Sequence, residues 1–193
     1  MRIRMTSIAL VAALGAGASA GTWVTSETAF LTALVGAHYT ETFDSFTTSG
    51  SPLSGQTSWA APGGNGFGFT AGATSGLWSS VGALSTLNSE QTITFTFSGG
   101  PVSAFGAFVT NSNISEAPIA GAVEIALSNG ATQTVGSSTS TGYFFLGWVG
   151  DNPGDTITSA AIRSNFNASD DFVQIDAAHI GAVPEPGTMA ALG

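Results

Sequence analysis

Apolar and polar residues alternate with a period of two along most of this chain. In Thr92-Ile93-Thr94-Phe95-Thr96-Phe97, the residues Ile93, Phe95 and Phe97 fall on one side and threonines on the other. Aromatic and β-branched residues in that order fit a pleated, half-buried strand. Tyr39, Glu41 and Phe43 alternate in the same way with Thr40, Thr42 and Asp44. So do Val123, Ile125 and Leu127 with their neighbours, and Asn129-Gly130 then predicts a hairpin, because both residues tolerate positive φ. Residues 102–110 are apolar on both faces, as in a central strand. Shorter strands are expected around Phe67 and Phe69, over 77–87, 131–135, 143–149 and 156–163, and a last one over 172–180. Residues 47–66, rich in Ser, Gly and Pro, read as a long loop.

One segment breaks the period. Thr25 or Ser26 can cap a helix start, Ala29, Phe30, Ala33 and Leu34 recur at helical spacing, and Gly36 is a stop. Residues 27–35 therefore predict a single short amphipathic helix. With eight to ten short strands after it, the expected fold is all-β: an antiparallel β-sandwich of jelly-roll type with one short N-terminal helix.

Composition narrows the function. The chain has 193 residues, 3 basic against 12 acidic, a formal net charge of −9 and no cysteine. Arg2 and Arg4 lie at the extreme N-terminus, so Arg163 is the one cationic side chain beyond it apart from the histidines. Such a chain cannot neutralise phosphates, which argues against nucleic acid and anionic lipid surfaces. The core must also hold without disulfides.

The ends carry addressing signals. Arg2 and Arg4 precede an apolar run over 8–18, and Ala18-Ser19-Ala20 fits a small-x-small cleavage site. Residues 1–20 therefore read as a signal peptide, with the mature chain beginning at Gly21. The domain is expected over 21–182 and a tail over 183–193.

Candidate chemistry is sparse. His38 and His179 are the two side chains able to act as bases at neutral pH, and neither lies in a catalytic motif. Beyond residues 1–21 no Gly-x-Ser-x-Gly elbow is found, and the chain has no Cys nucleophile and no Lys. Glu41 and Asp44 on the first strand can meet Asp170, Asp171 and Asp176 at the last if the terminal strands pair. Such a group of oxygens suits Ca²⁺, since like charges brought together call for a cation. The alternative is separate turn and surface acids. Four tryptophans, Trp23, Trp59, Trp78 and Trp148, offer faces on which sugar rings stack. Trp59, in a polar loop, is the candidate glycan contact, whereas Trp78 and Trp148 read as core.

Val183-Pro184-Glu185-Pro186, after the last strand, resembles the sorting tail of PEP-CTERM proteins, a bacterial surface and secretion family. The resemblance implies a Pro-Glu-Pro motif, a membrane-spanning apolar helix and an Arg-rich end, cut by an exosortase, a membrane-embedded transpeptidase-like enzyme. Seven residues follow Pro186 in this sequence, against the about 20 apolar residues a spanning helix needs, and no Arg cluster follows. The body is also similar to that of many such proteins, in Glu41-Thr42-Phe43-Asp44, Pro101-Val102-Ser103-Ala104-Phe105-Gly106 and Phe145-Leu146-Gly147-Trp148-Val149. The resemblance implies export to the envelope or the extracellular polysaccharide matrix and names no activity. Two prolines flanking one residue favour an extended segment, so the tail is expected to be exposed, with few contacts to the domain. Three readings stand: a non-catalytic exported protein sorted by its tail; a lectin-like module, with or without Ca²⁺; and a hydrolase, which needs two carboxylates across a cleft.

Overall fold

The structure, a computed structural model, describes residues 21–34, 37–51, 53–165 and 171–184. In chain order it runs β1 (Thr22–Val24), α1 (Glu27–Leu34), β2 (His38–Glu41), β3 (Ser58–Ala60), β4 (Phe67–Gly72), β5 (Leu77–Ser80), β6 (Ala83–Thr86) and β7 (Thr92–Gly99). It continues with β8 (Ala104–Ser112), β9 (Pro118–Ile119), β10 (Gly121–Leu127), β11 (Thr132–Ser137), β12 (Phe144–Val149), β13 (Ser159–Ser164) and β14 (Phe172–Gly181).

Among the described residues the strands form two antiparallel sheets. The larger has eight strands in the order β1-β12-β8-β14-β6-β5, with β2 on β14 and β9 on β8. The smaller has six, in the order β11-β10-β13-β7-β4-β3. The architecture is the expected β-sandwich of jelly-roll type. The early strand β2 does pair with the last, Glu41 opposite Ala178 and His38 opposite Gly181.

The alternating residues meet between the sheets. Ile93 and Phe95 from β7 pack with Phe105, Ala107 and Val109 from β8 and with Val173, Ile175, Ala178 and Ile180 from β14. At about 25 cal/mol per Å² of apolar surface removed from water, this single core supplies most of the stability. β8 sits between β12 and β14, as its two apolar faces require.

Its outer face is where α1 lies. Ser26 Oγ accepts the Ala29 N–H at 3.3 Å, the expected cap. Phe30 and Leu34 then pack on Ala104 and Phe145 in a second cluster. Gly106 and Gly147 are paired across β8 and β12 beneath Phe30. A Cβ on Gly147 would lie 2.5 Å from Phe30 Cδ2, so the glycine pair makes the seat for this ring. Among the described residues no helix is long and apolar enough to cross a membrane.

Three expectations need correction. Residues 47–66 are not all loop, because β3 adds an edge strand at Ser58–Ala60 and Leu53 is buried in the core. The first strand stops at Glu41, since Phe43 turns to φ 56°; Asp44 therefore lies in a turn. The tail does not leave the domain at once. Val183 is only 9% exposed, and its N–H donates to Ser103 Oγ at 2.8 Å. A branched apolar side chain next to a buried hydroxyl stays on the sandwich. Ser103 also donates its N–H to Gly181 O and accepts from Gly150 N, which ties the tail to the ends of β14 and β12. Ala18, Ala20, Asp170, Glu185 and Pro186 lie outside the described residues.

Candidate functional site

Helix α1 covers one end of the large sheet's outer face. The other end, across β5, β6, β14 and β8, carries a groove. Its lining includes Trp78, Ser85, Thr86, Ser112, Glu116 and Phe172, with Asn113, Leu87 and Ile114 around them. Strand alternation puts Trp78, Ser85, Ser112 and Phe172 on one face, while Thr86, paired with core-facing Leu77, takes the opposite one. Trp78 faces Ser85 across the β5–β6 pair, and Phe172 faces Ser112 across β14–β8. The cavity measures about 180 Å³.

One wall is the turn after β8. Asn113 Oδ1 accepts the N–H groups of Ser115 at 2.9 Å and Ala117 at 3.2 Å, an arrangement in which Asn replaces a backbone acceptor. The turn brings Glu116 to φ 63°, a conformation unusual for this residue type. Ile114, at the rim, is 81% exposed.

Glu116 is aimed at Trp78. The indole N–H donates to Glu116 Oε1 at 2.9 Å and lies 3.2 Å from Ser49 Oγ, whose hydroxyl donates to the same carboxylate oxygen. Gly50, at φ 79°, packs under the ring; a Cβ there would lie 2.8 Å from Trp78 Cη2. The half-buried indole is thus fixed before any ligand arrives. An ionised carboxylate offers about four acceptor sites, and Trp78 and Ser49 take two of Glu116's.

Thr86 is buried, yet its Oγ1 has no hydrogen-bond partner. A buried hydroxyl without a partner costs free energy of order 1–3 kcal/mol.

Beside the groove, the Tyr143 hydroxyl donates to Gln174 Oε1 at 3.0 Å, and Gln174 Nε2 donates to Ser80 Oγ at 2.6 Å. Burial, then the negative charges of Asp176 and Glu116, pushes the Tyr143 phenol up to about 12. The sheet's outer face is therefore electronegative beyond the groove itself.

Of the five acids proposed from sequence, the four that are described do not form one metal-holding group, and Asp170 lies outside the described residues. Glu41 holds the turn that follows it: Oε2 accepts the Tyr39 hydroxyl at 2.5 Å and Oε1 the Phe43 N–H at 3.0 Å. Asp44 accepts the Thr42 hydroxyl at 2.7 Å. Asp176 is exposed near the bulge of β14, and its pKa is raised by desolvation and then by Asp44. Asp171 is buried at the far end of β14, where its carbonyl accepts the Glu90 N–H. Five residues separate it from Asp176, about 16 Å along a strand. Among the described residues no cluster of three or more His, Cys, Asp or Glu is placed to hold a metal ion.

The tryptophans also exchange roles. Trp59 is on β3, not in a free polar loop, and its ring packs on Phe43, Phe46 and Phe69 at centroid distances of 5.7, 5.3 and 6.1 Å. Trp148 is core, as expected, at 1% exposure. Trp78, expected in the core, is the groove's aromatic wall. Its sequence signal was weak, because alternation places it opposite Leu77 and Ser79 but does not show which face stays open.

His179 is sealed beneath α1 between Phe30 and Phe145. Its Nδ1 lies 2.9 Å from Thr40 Oγ1. Nε2 lies 3.2 Å from Glu27 Oε1 but without hydrogen-bond geometry. Burial, then the neighbouring His38, lowers the His179 pKa to about 4, so the ring is neutral at pH 7 and the contact is no ion pair.

No family model and no curated protein matches this chain. Among solved structures it is similar to a mutant family 29 carbohydrate-binding module complexed with mannohexaose, at 16% identity over 65% of this chain and 92% of that one, TM-score 0.39. A second mutant of that module gives 14% identity over 81% and 97%, TM-score 0.40. A family 11 carbohydrate-binding module of a cellulosomal cellulase of Clostridium thermocellum gives 12% over 88% and 99%, TM-score 0.27. These likenesses are too distant to carry a ligand across, and the functional reading rests on the groove.

Proposed function

We propose that this protein is an exported, non-catalytic domain that binds a glycan in the Trp78 groove. The observation that carries this reading is a fixed, half-buried indole with the Glu116 carboxylate, which keeps acceptor sites to spare, beside it in one groove. Sugar rings present C–H faces to aromatic walls and hydroxyls to polar groups, and this groove offers both. Ser85, Ser112 and Asn113 add further polar atoms. A hydrolase would need two carboxylates across the cleft, and Glu116 is the one acid among the lining residues.

Export fits the charged start, the apolar run and Ala18-Ser19-Ala20. Sorting by an exosortase through Val183-Pro184-Glu185-Pro186 fits the same route, with extracellular polysaccharide as the partner. N-terminal sequencing of secreted protein tests the first step: a chain beginning at Gly21 supports it, and one beginning at Met1 overturns it.

A glycan-array screen of the secreted protein, with Ca²⁺ and with chelator, tests the binding reading. The expected result is a saccharide hit whose affinity falls about tenfold or more in Trp78→Ala, the size of loss common for a central aromatic anchor. Binding unchanged in Trp78→Ala, in a protein with an unchanged circular dichroism spectrum, overturns it.

A further inference from the structure

We propose that the Trp78 groove takes a single neutral sugar ring, with Glu116 as the residue that turns away anionic sugars. This rests on the glycan-binding reading above and names the ligand class of that same site.

Size sets the first limit. Sites for drug-sized ligands span about 300–1,000 Å³. A cavity of about 180 Å³ is smaller, and suits one ring rather than a run of several. Trp78 and Phe172 supply apolar walls on β5 and β14, and Ile114 stands at the rim. A ring seated there meets Ser85, Ser112 and Asn113 as polar neighbours.

Charge sets the second limit. Glu116 lines the groove, and no Lys, Arg or His does. Arg163, the one basic side chain among the described residues apart from the histidines, is committed elsewhere. On the small sheet its Nη2 lies 2.7 Å from Glu124 Oε1. A uronate or sulfated ring in the groove would face the Glu116 carboxylate with nothing to offset it. Trp78 and Ser49 hold that carboxylate in place, so it cannot swing away without giving up both bonds. A neutral ring meets it as an acceptor for hydroxyl donors.

The test is calorimetric titration of the full chain with methyl glycosides of neutral hexoses, the matching methyl hexuronides, and a two- to six-ring series of the neutral sugar that binds. At an ionic strength of about 0.01 M, where screening extends over about 30 Å, the uronide should bind about tenfold more weakly than its neutral partner. At about 1 M that gap should narrow, because the Debye length falls to about 3 Å. Glu116→Gln keeps a side-chain oxygen for the indole and should raise the uronide-to-neutral affinity ratio about tenfold. Affinity should gain little beyond one ring.

Equal binding of uronide and neutral sugar, or a ratio unmoved by Glu116→Gln, overturns the inference while leaving the site intact, provided Trp78→Ala abolishes binding. If no glycoside binds, or Trp78→Ala binds as well as the parent, the site reading itself falls. Melting temperatures of all variants check that each is folded.

Discussion

Lowering the pH from 7 to 5 should destabilise this domain through one buried ring. His179 has the ordinary value of 6.5 when unfolded and about 4 when folded, because α1, Phe30 and Phe145 remove it from water and His38 stands nearby. A folded value below the unfolded one means that the unfolded chain binds the proton more tightly. Stability from this group is therefore complete above about 6.5 and is lost as pH falls toward 4. At about 1.4 kcal/mol per pH unit, the whole window is worth at most about 3.4 kcal/mol. Between pH 7 and pH 5 the loss is about 2 kcal/mol. For a domain of this size that corresponds to about 4–8 °C in melting temperature. Glu27 reduces the effect, since its carboxylate would attract a protonated ring; its side chain is 39% exposed, so water screens that attraction. Asp176 acts in the opposite direction, because its raised folded pKa makes protonation favour the folded state. Comparison with His179→Gln removes that contribution. Urea denaturation of both proteins at pH 7, 6 and 5 should give a parent curve that falls more steeply by about 2 kcal/mol. Parallel curves would refute the reasoning and mean that the ring is protonated or hydrated in place.

Three further outcomes are expected. Gly147→Ala should cost about 1–3 kcal/mol in thermal or urea unfolding, because its Cβ would lie 2.5 Å from Phe30 Cδ2 and 3.0 Å from Phe145 Cε1; a neutral result would show that α1 can shift without loss. Ser103→Ala should cost about 1–3 kcal/mol by orphaning the buried Val183 N–H, while replacing Pro184, Glu185 and Pro186 with Ala should leave the melting temperature nearly unchanged. If the triple replacement unfolds the domain, the segment belongs to the fold and the sorting reading loses its physical basis.

Much of the fold was legible in the sequence, because local periodicity specifies it. Alternation in β7, the Asn129-Gly130 hairpin, the Ser26 cap and the double apolar face of β8 each depend on neighbours within a few residues. Absent cysteine and scarce basic charge limited partners in the same direct way. The site was not legible. Alternation puts Trp78 and Ser85 on one side of their strands, but which side stays open depends on which side the small sheet covers, and Leu77 and Leu84 take that covered side. Pairing of the first and last strands was foreseeable, whereas the distance between Asp171 and Asp176 along β14 was missed by grouping acids at chain ends. Glu116 comes to Trp78 from 38 residues away through a turn built by Asn113. The sequence determined a neutral-to-acidic, disulfide-free β-sandwich with one helix. Tertiary structure decided which tryptophan is a wall and which is core, because burial is settled by contacts between segments far apart in the chain.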